Sequence, residues 1–273
     1  MDWSAMTLDA RNLAYNNVEH VGPAFARDKT ESWLQKSQGV RARESGHLDL
    51  PYADAERTKW DLYPSKNPNA PCLVHFYGGY WQRGSKEIFA CLTDGVRAHG
   101  WSAALPGYSL APNASLSEIV SELRLALDWF VVNAPRHGVE GPVILTGWSA
   151  GGHLTALLLD HRAVKAGFCI SGVFDLGHLR ESPHVNDKLR LTESEVEELS
   201  PMRLPMADKP LTISHGSSEL PAMIQTSREY HQRRMMAHRG GELVAVPGKN
   251  HFTVLDEMLN PRSGLVSSIL ALA

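Results

Sequence analysis

Cysteine is scarce in this 273-residue chain: Cys72, Cys91 and Cys169 are the only three, each among apolar neighbours. An odd, small number without framework spacing excludes a disulfide-stapled fold and points to buried free thiols in a reducing compartment. Long hydrophobic runs are missing too; no stretch approaches the ~20 apolar residues needed to cross a bilayer. Residues 1–12 hold no basic segment followed by an apolar run, so no secretory signal is expected. Charge of either sign is modest, at a net -3 with Lys and Arg scattered, which gives no footprint for nucleic acid or an anionic membrane. No repeat or low-complexity stretch occurs. Neither His-Glu-x-x-His nor a comparable His/Asp cluster is present, so no metal and no cofactor are expected. What remains, 43% hydrophobic and 21% charged, is the composition of a cytoplasmic globular protein. A homodimer stays open.

The length suits one domain spanning residues 1–273. Residues 1–50 are polar, with weak helical patterning at 10–16 and 30–36, and read as an N-terminal arm packed on the main body. From Lys59 onward short apolar runs alternate with helical ones. Strands are expected at 58–63, 72–77, 101–105, 143–147, 166–171, 211–215 and 242–246, and helices at 86–99, 116–133, 151–160 and 223–237. In the second helix Ile119, Leu123, Ala126, Leu127 and Phe130 share one face. Such alternation implies a mostly parallel sheet with helices on both faces. The polar interval 175–209 breaks it. A structureless loop of that length is improbable, so a small helical insertion is expected, placed like a lid over the carboxyl ends of the strands.

Chemistry concentrates in three turns. The first is Gly147-Trp148-Ser149-Ala150-Gly151, preceded by the β-branched run Val143-Ile144-Leu145-Thr146 and followed by helical His153–Leu158 residues. Gly-x-Ser-x-Gly between strand and helix forms the sharp turn that exposes a serine nucleophile. A serine hydroxyl needs a base to take its proton, and His251 follows the last strand in Pro247-Gly248-Lys249-Asn250-His251-Phe252. His215, at a strand end, is the competitor, but it would invert the chain order Ser…acid…His. The acid is expected after the penultimate strand, where Glu219 is the first carboxylate; Asp175 is the fallback. Its role is to accept the Nδ1–H of His251 and fix the tautomer. The third turn, Tyr77-Gly78-Gly79-Tyr80-Trp81, is glycine-rich and follows an early strand. It would supply oxyanion-hole N–H donors from Gly79 and Tyr80, joined by Ala150 after the nucleophile. Trp81, Tyr108 and Trp148 are candidate substrate contacts.

Together the GGYW turn, Gly107-Tyr108-Ser109-Leu110-Ala111-Pro112, the GWSAGG elbow and the GKNHF turn resemble the serine-dependent arylformamidases, or kynurenine formamidases, and their esterase relatives. Phe174-Asp175-Leu176, Leu191-Thr192, Ser200-Pro201 and Glu219-Leu220-Pro221 fit as well, so the resemblance spans about residues 50–255. It implies an α/β-hydrolase fold and hydrolysis of a small acyl group from an amide, with a carboxylesterase acting on short-chain or aryl esters as the alternative. Two positions depart from the family. Tyr77 stands where the signature usually has His, and Glu219 where kynurenine formamidases often carry Asp.

Overall fold

The computed structural model describes residues 5–43 and 46–273, so the first four residues of the expected arm, and residues 44 and 45, lie outside it. Its centre is one eight-stranded sheet: β1 (His47–Pro51), β2 (Lys59–Tyr63), β3 (Cys72–Phe76), β4 (Ser102–Pro106), β5 (Val143–Trp148), β6 (Val164–Ile170), β7 (Leu211–Gly216) and β8 (Leu243–Val246). The order is β1-β2-β4-β3-β5-β6-β7-β8. β1 and β2 run antiparallel at one edge, and β4 through β8 with β3 are parallel. β3, β4, β5 and β7 are buried along their whole length, as strands covered on both faces must be. Cys72, Cys91 and Cys169 are free and buried.

Helices close both faces. Leu116–Asn133 buries the stripe Ile119, Leu123, Ala126, Leu127 and Phe130, and a capping box fixes its start: Ser115 accepts from the Glu118 amide while Glu118 answers the Ser115 backbone. The segment expected as one helix at 86–99 is three short pieces, Lys86–Phe89, Ala90–Thr93 and Asp94–Arg97. The Thr93 hydroxyl donates to the Ala90 carbonyl at 2.8 Å inside the middle, 3₁₀ piece and competes there with the α-helical pattern. Between β6 and β7 stand three short helices, Gly177–Arg180, Pro183–Leu189 and Glu193–Leu199.

The arm differs most from its sequence pattern. It forms Leu8–Ala14, Asn17–Val21 and a 21-residue helix, Pro23–Arg43. That long helix is polar on most of its surface but buries Ala26, Trp33, Ser37 and Val40 on one face. β1 was not expected; its exposure alternates only weakly and its register is broken by a bulge.

Candidate active site

β5 ends at Trp148, and the chain then turns through Ser149 with φ 56° and ψ −118° before the helix Ala150–Leu157 begins. A non-glycine residue in that region is strained by about 1–3 kcal/mol. Packing holds it. The Ser149 amide donates to the Ile170 carbonyl at 2.9 Å, and the His153 amide donates to the Ser149 carbonyl at 3.1 Å. Gly151 presses against the carbonyls of Phe76 and Tyr77, where any side chain would collide. The serine therefore stands at the carboxyl edge of the sheet, at the amino end of a helix, and is only 2% exposed.

Glu219 lies in the turn after β7, 5% exposed, and its Oε2 receives the His251 Nδ1 at 2.9 Å. Its other oxygen, Oε1, accepts from the Ser171 hydroxyl at 2.6 Å and the Gly216 amide at 2.5 Å. Burial alone pushes the carboxyl pKa up. The hydrogen bond and charge of His251, then Ser171 and Gly216, outweigh that, and the net shift is downward. An ionised Glu219 requires Nδ1 of His251 to be the donor, which leaves Nε2 as the free base. Among the described residues the Ser149 hydroxyl has no hydrogen-bond partner; such bonds often tighten only with substrate in place.

The competitors are engaged elsewhere. His215 Nδ1 sits 3.1 Å from the Gly216 carbonyl. Asp175 is salt-bridged to Arg203 at 2.9 Å and accepts from the Gly177 amide at 2.8 Å. The sequence offered no signal for Ser171, whose φ of 51° aims its hydroxyl at Glu219.

Three successive residues of the glycine turn have positive φ: Gly79 at 118°, Tyr80 at 53° and Trp81 at 56°. The turn lies against the elbow, since a Cβ on Gly78 would meet the Trp148 ring at 2.5 Å. Among the described residues no protein acceptor takes the backbone N–H of Gly79, Tyr80 or Ala150, so all three remain for a ligand oxygen. Tyr77, at the position where His is usual, stacks on Tyr108 with centroids 4.3 Å apart. The Tyr108 hydroxyl donates to the Tyr77 carbonyl at 2.8 Å. Arg57 braces the pair from behind, donating to the Tyr108 carbonyl at 3.0 Å and the Gly84 carbonyl at 2.6 Å.

The three expected substrate contacts are all enclosed. Trp148 packs against Trp33, Phe89, Phe252 and His251, and its indole N–H donates to the His251 carbonyl at 2.8 Å. The polar atoms of Tyr108 and Trp148 are thus committed to the protein. Trp81 sits edge-on to His153 at 4.9 Å.

The arm packs against the glycine turn and the loop of Glu219. The Tyr80 hydroxyl donates to the Tyr15 carbonyl, Asn17 Nδ2 donates to the Tyr80 hydroxyl oxygen at 3.3 Å, and His20 Nε2 lies 3.2 Å from the Ser218 carbonyl. From the insertion, the Val185 carbonyl accepts from Nε2 of Gln82, the residue after the glycine turn, at 2.7 Å. A cavity of about 470 Å³ opens beside these contacts and is lined by Tyr15, Asp175, His178, Gln225, Thr226 and Glu229 among others, not by Ser149. Among the described residues no group of three or more His, Cys, Asp or Glu is placed to hold a metal ion. No described helix is long and apolar enough to cross a membrane.

The BD-FAE family matches residues 60–166, which carry the glycine turn and the elbow. A kynurenine formamidase of Danio rerio is 28% identical, covering 98% of this chain and 97% of its own. One from Drosophila melanogaster is 25% identical over 82% and 79%. Isoprenylcysteine alpha-carbonyl methylesterase ICME of Arabidopsis thaliana is 26% identical over 73% of this chain and 55% of its own. Among solved structures, a protein of Silicibacter sp. tm1040 with a provisional thioesterase name superposes with a TM-score of 0.82 at 27% identity, covering 95% and 98% of the two chains. Esterase B of Lactobacillus rhamnosis shares the fold at a TM-score of 0.71 and 17% identity, over 92% and 95%.

Proposed function

We propose that this chain, an α/β-hydrolase of the arylformamidase- and esterase-like group, is a serine hydrolase that removes a small acyl group such as formyl from an amide. The observation that carries the reading is the continuous relay from Ser171 and Gly216 through Glu219 to His251, beside a strained serine and three unoccupied N–H donors. The near-full-length likeness to kynurenine formamidases supports the amide and the formyl group.

His251 Nε2 takes the Ser149 proton as Oγ attacks the acyl carbon, and the oxyanion points at the N–H groups of Gly79, Tyr80 and Ala150. Collapse of the adduct breaks the C–N bond while His251 returns the proton to the leaving nitrogen. Water, activated by the same base, then releases the acid and restores Ser149. The near-complete burial of Ser149 favours a small acyl group, and an aromatic amine would leave toward the 470 Å³ cavity, a volume within the usual range for ligand sites. Tyr108 and Trp148 act as braces of the turns, whereas the Trp81 indole N–H is buried without a partner among the described residues and stays available beside its ring. The relatives named as esterases support the second reading, cleavage of short-chain or aryl esters by the same residues. The three buried free thiols agree with a cytoplasmic location, and the net charge of -3 gives no reason to expect nucleic acid as a partner.

Hydrolysis of N-formylkynurenine and p-nitrophenyl acetate, measured side by side, tests the proposal. The formamide is expected to be preferred. Ser149→Ala and Glu219→Gln should each lower kcat by about 10³-fold or more. Turnover surviving in Ser149→Ala would defeat the mechanism, and ester cleavage alone would leave the carboxylesterase.

A further inference from the structure

The short helix Asn17–Val21 has two polar side chains one turn apart, Asn17 and His20, hence on one face. They touch two different loops at the carboxyl edge of the sheet. Asn17 meets Tyr80 of the oxyanion turn, and His20 meets the Ser218 carbonyl beside Glu219. In the strand order the turn after β3 and the loop after β7 lie on opposite sides of the end of β5, so the helix that joins them spans the Ser149 turn as a roof.

Within that roof Asn17 is 3% exposed, and its carboxamide oxygen has no partner among the described residues. Its orientation is not arbitrary. The Tyr80 hydroxyl has one hydrogen, which goes to the Tyr15 carbonyl, so toward Asn17 it can only accept. The amide nitrogen must therefore face Tyr80, and the oxygen faces away from it. The Asn17 backbone amide is tied to the same Tyr15 carbonyl at 3.0 Å, which fixes the residue from a second side. A buried acceptor without a donor is costly, about 1–3 kcal/mol, and native structures rarely leave one without a reason.

Resting on the hydrolase reading above, we propose that Asn17 is a specificity-determining residue whose carboxamide oxygen accepts a hydrogen bond from the scissile N–H of a secondary amide. An ester has no hydrogen at that atom; a secondary amide has one. Holding that N–H on Asn17 turns the nitrogen lone pair toward His251 Nε2, which delivers the former Ser149 proton there as the C–N bond breaks. The nitrogen's own hydrogen stays bonded to the nitrogen, hydrogen-bonded to Asn17 until the amine departs with it. A site built to bond a substrate N–H discriminates strongly against analogues that lack it.

Three substrates that share a formyl group test this: formanilide, N-methylformanilide and phenyl formate, with the intact chain and with Asn17→Leu and Asn17→Ala. In both variants kcat/KM for formanilide should fall about tenfold or more. The values for N-methylformanilide and phenyl formate should stay within about threefold, which also reports correct folding. Equal losses on all three substrates, or no loss on formanilide, would overturn the proposal. So would an unsubstituted chain that cleaves formanilide no better than N-methylformanilide. Hydrolysis surviving in Ser149→Ala would overturn the proposal and the hydrolase reading together. Loss of all three activities there upholds the hydrolase reading, and the Asn17 ratios then decide the specificity proposal by themselves.

Discussion

The indole of Trp148 joins the two ends of the proposed relay. It is the residue before Ser149, and its N–H holds the carbonyl of His251. Trp148→Phe keeps the ring contacts with Trp33 and Phe252 but leaves the His251 carbonyl without that donor. We expect kcat to fall about tenfold with KM little changed, because about 1–3 kcal/mol of hydrogen bonding is lost from the base loop. Steady-state kinetics separates the two parameters, and an unchanged kcat would show that the aromatic packing alone positions His251. Ser149 and His251 are legible in the sequence because each sits in a turn with its own local pattern. Glu219 is legible because it is the first carboxylate after β7. Ser171 and Asn17 carry no such mark. A lone Ser after a strand and a lone Asn in a polar arm acquire meaning only when β6 and the arm are brought beside the acid loop and the oxyanion turn.

At the scale of elements, the helix Pro23–Arg43 governs more than its composition announces. Its Ser37 hydroxyl donates to the Ile88 carbonyl at 2.8 Å and accepts from the Cys91 amide at 2.9 Å. Its Trp33 supports Trp148, and its Arg41 pairs with the fully buried Asp61 on β2. Lys86, just beyond the glycine turn, meets Asp61 at 2.7 Å and Asp49 at 2.6 Å. Removing one partner of a buried ion cluster leaves an uncompensated charge at a cost of about 3–5 kcal/mol. Lys86→Met should therefore lower unfolding free energy by about 3 kcal/mol in urea titration; a loss under 1 kcal/mol would mean that Arg41 alone satisfies Asp61. The helix escapes a sequence reading because its apolar positions are few and widely spaced, with Trp33 and Val40 the clearest. The parallel strands and the Leu116–Asn133 helix are readable for the opposite reason: burial on both faces, or on one full face, demands continuous apolar runs.

For the molecule as a whole, acid stability is set by buried imidazoles. Burial holds His75 down to a pKa of about 3 and His153 down to about 4, the latter partly offset by its bond to the Leu199 carbonyl. In the unfolded chain both titrate near 6.5. Below that pH the unfolded state binds protons that the fold refuses, so stability is full above about 6.5 and declines as pH falls toward 4. Glu219, shifted downward, adds a contribution that is present above its unfolded value and lost as pH falls through its folded one. Each buried imidazole contributes a slope of up to about 1.4 kcal/mol per pH unit. Urea unfolding measured from pH 7.5 to 4.5 should show the decline begin near 6.5; a flat profile would mean that these imidazoles are protonated in the folded state.

The arm also sets an order of events during biosynthesis. His20 closes on Ser218, 198 residues further along the chain, and His251 follows later still. A chain emerging from the ribosome presents the arm first and the loops it must cover last. While the C-terminal turn is still in the exit tunnel, Ser149 has neither His251, its proposed base, nor the docked arm beside it. On the proposed mechanism the nascent polypeptide is therefore unreactive toward acyl compounds until those last turns leave the tunnel and the arm docks.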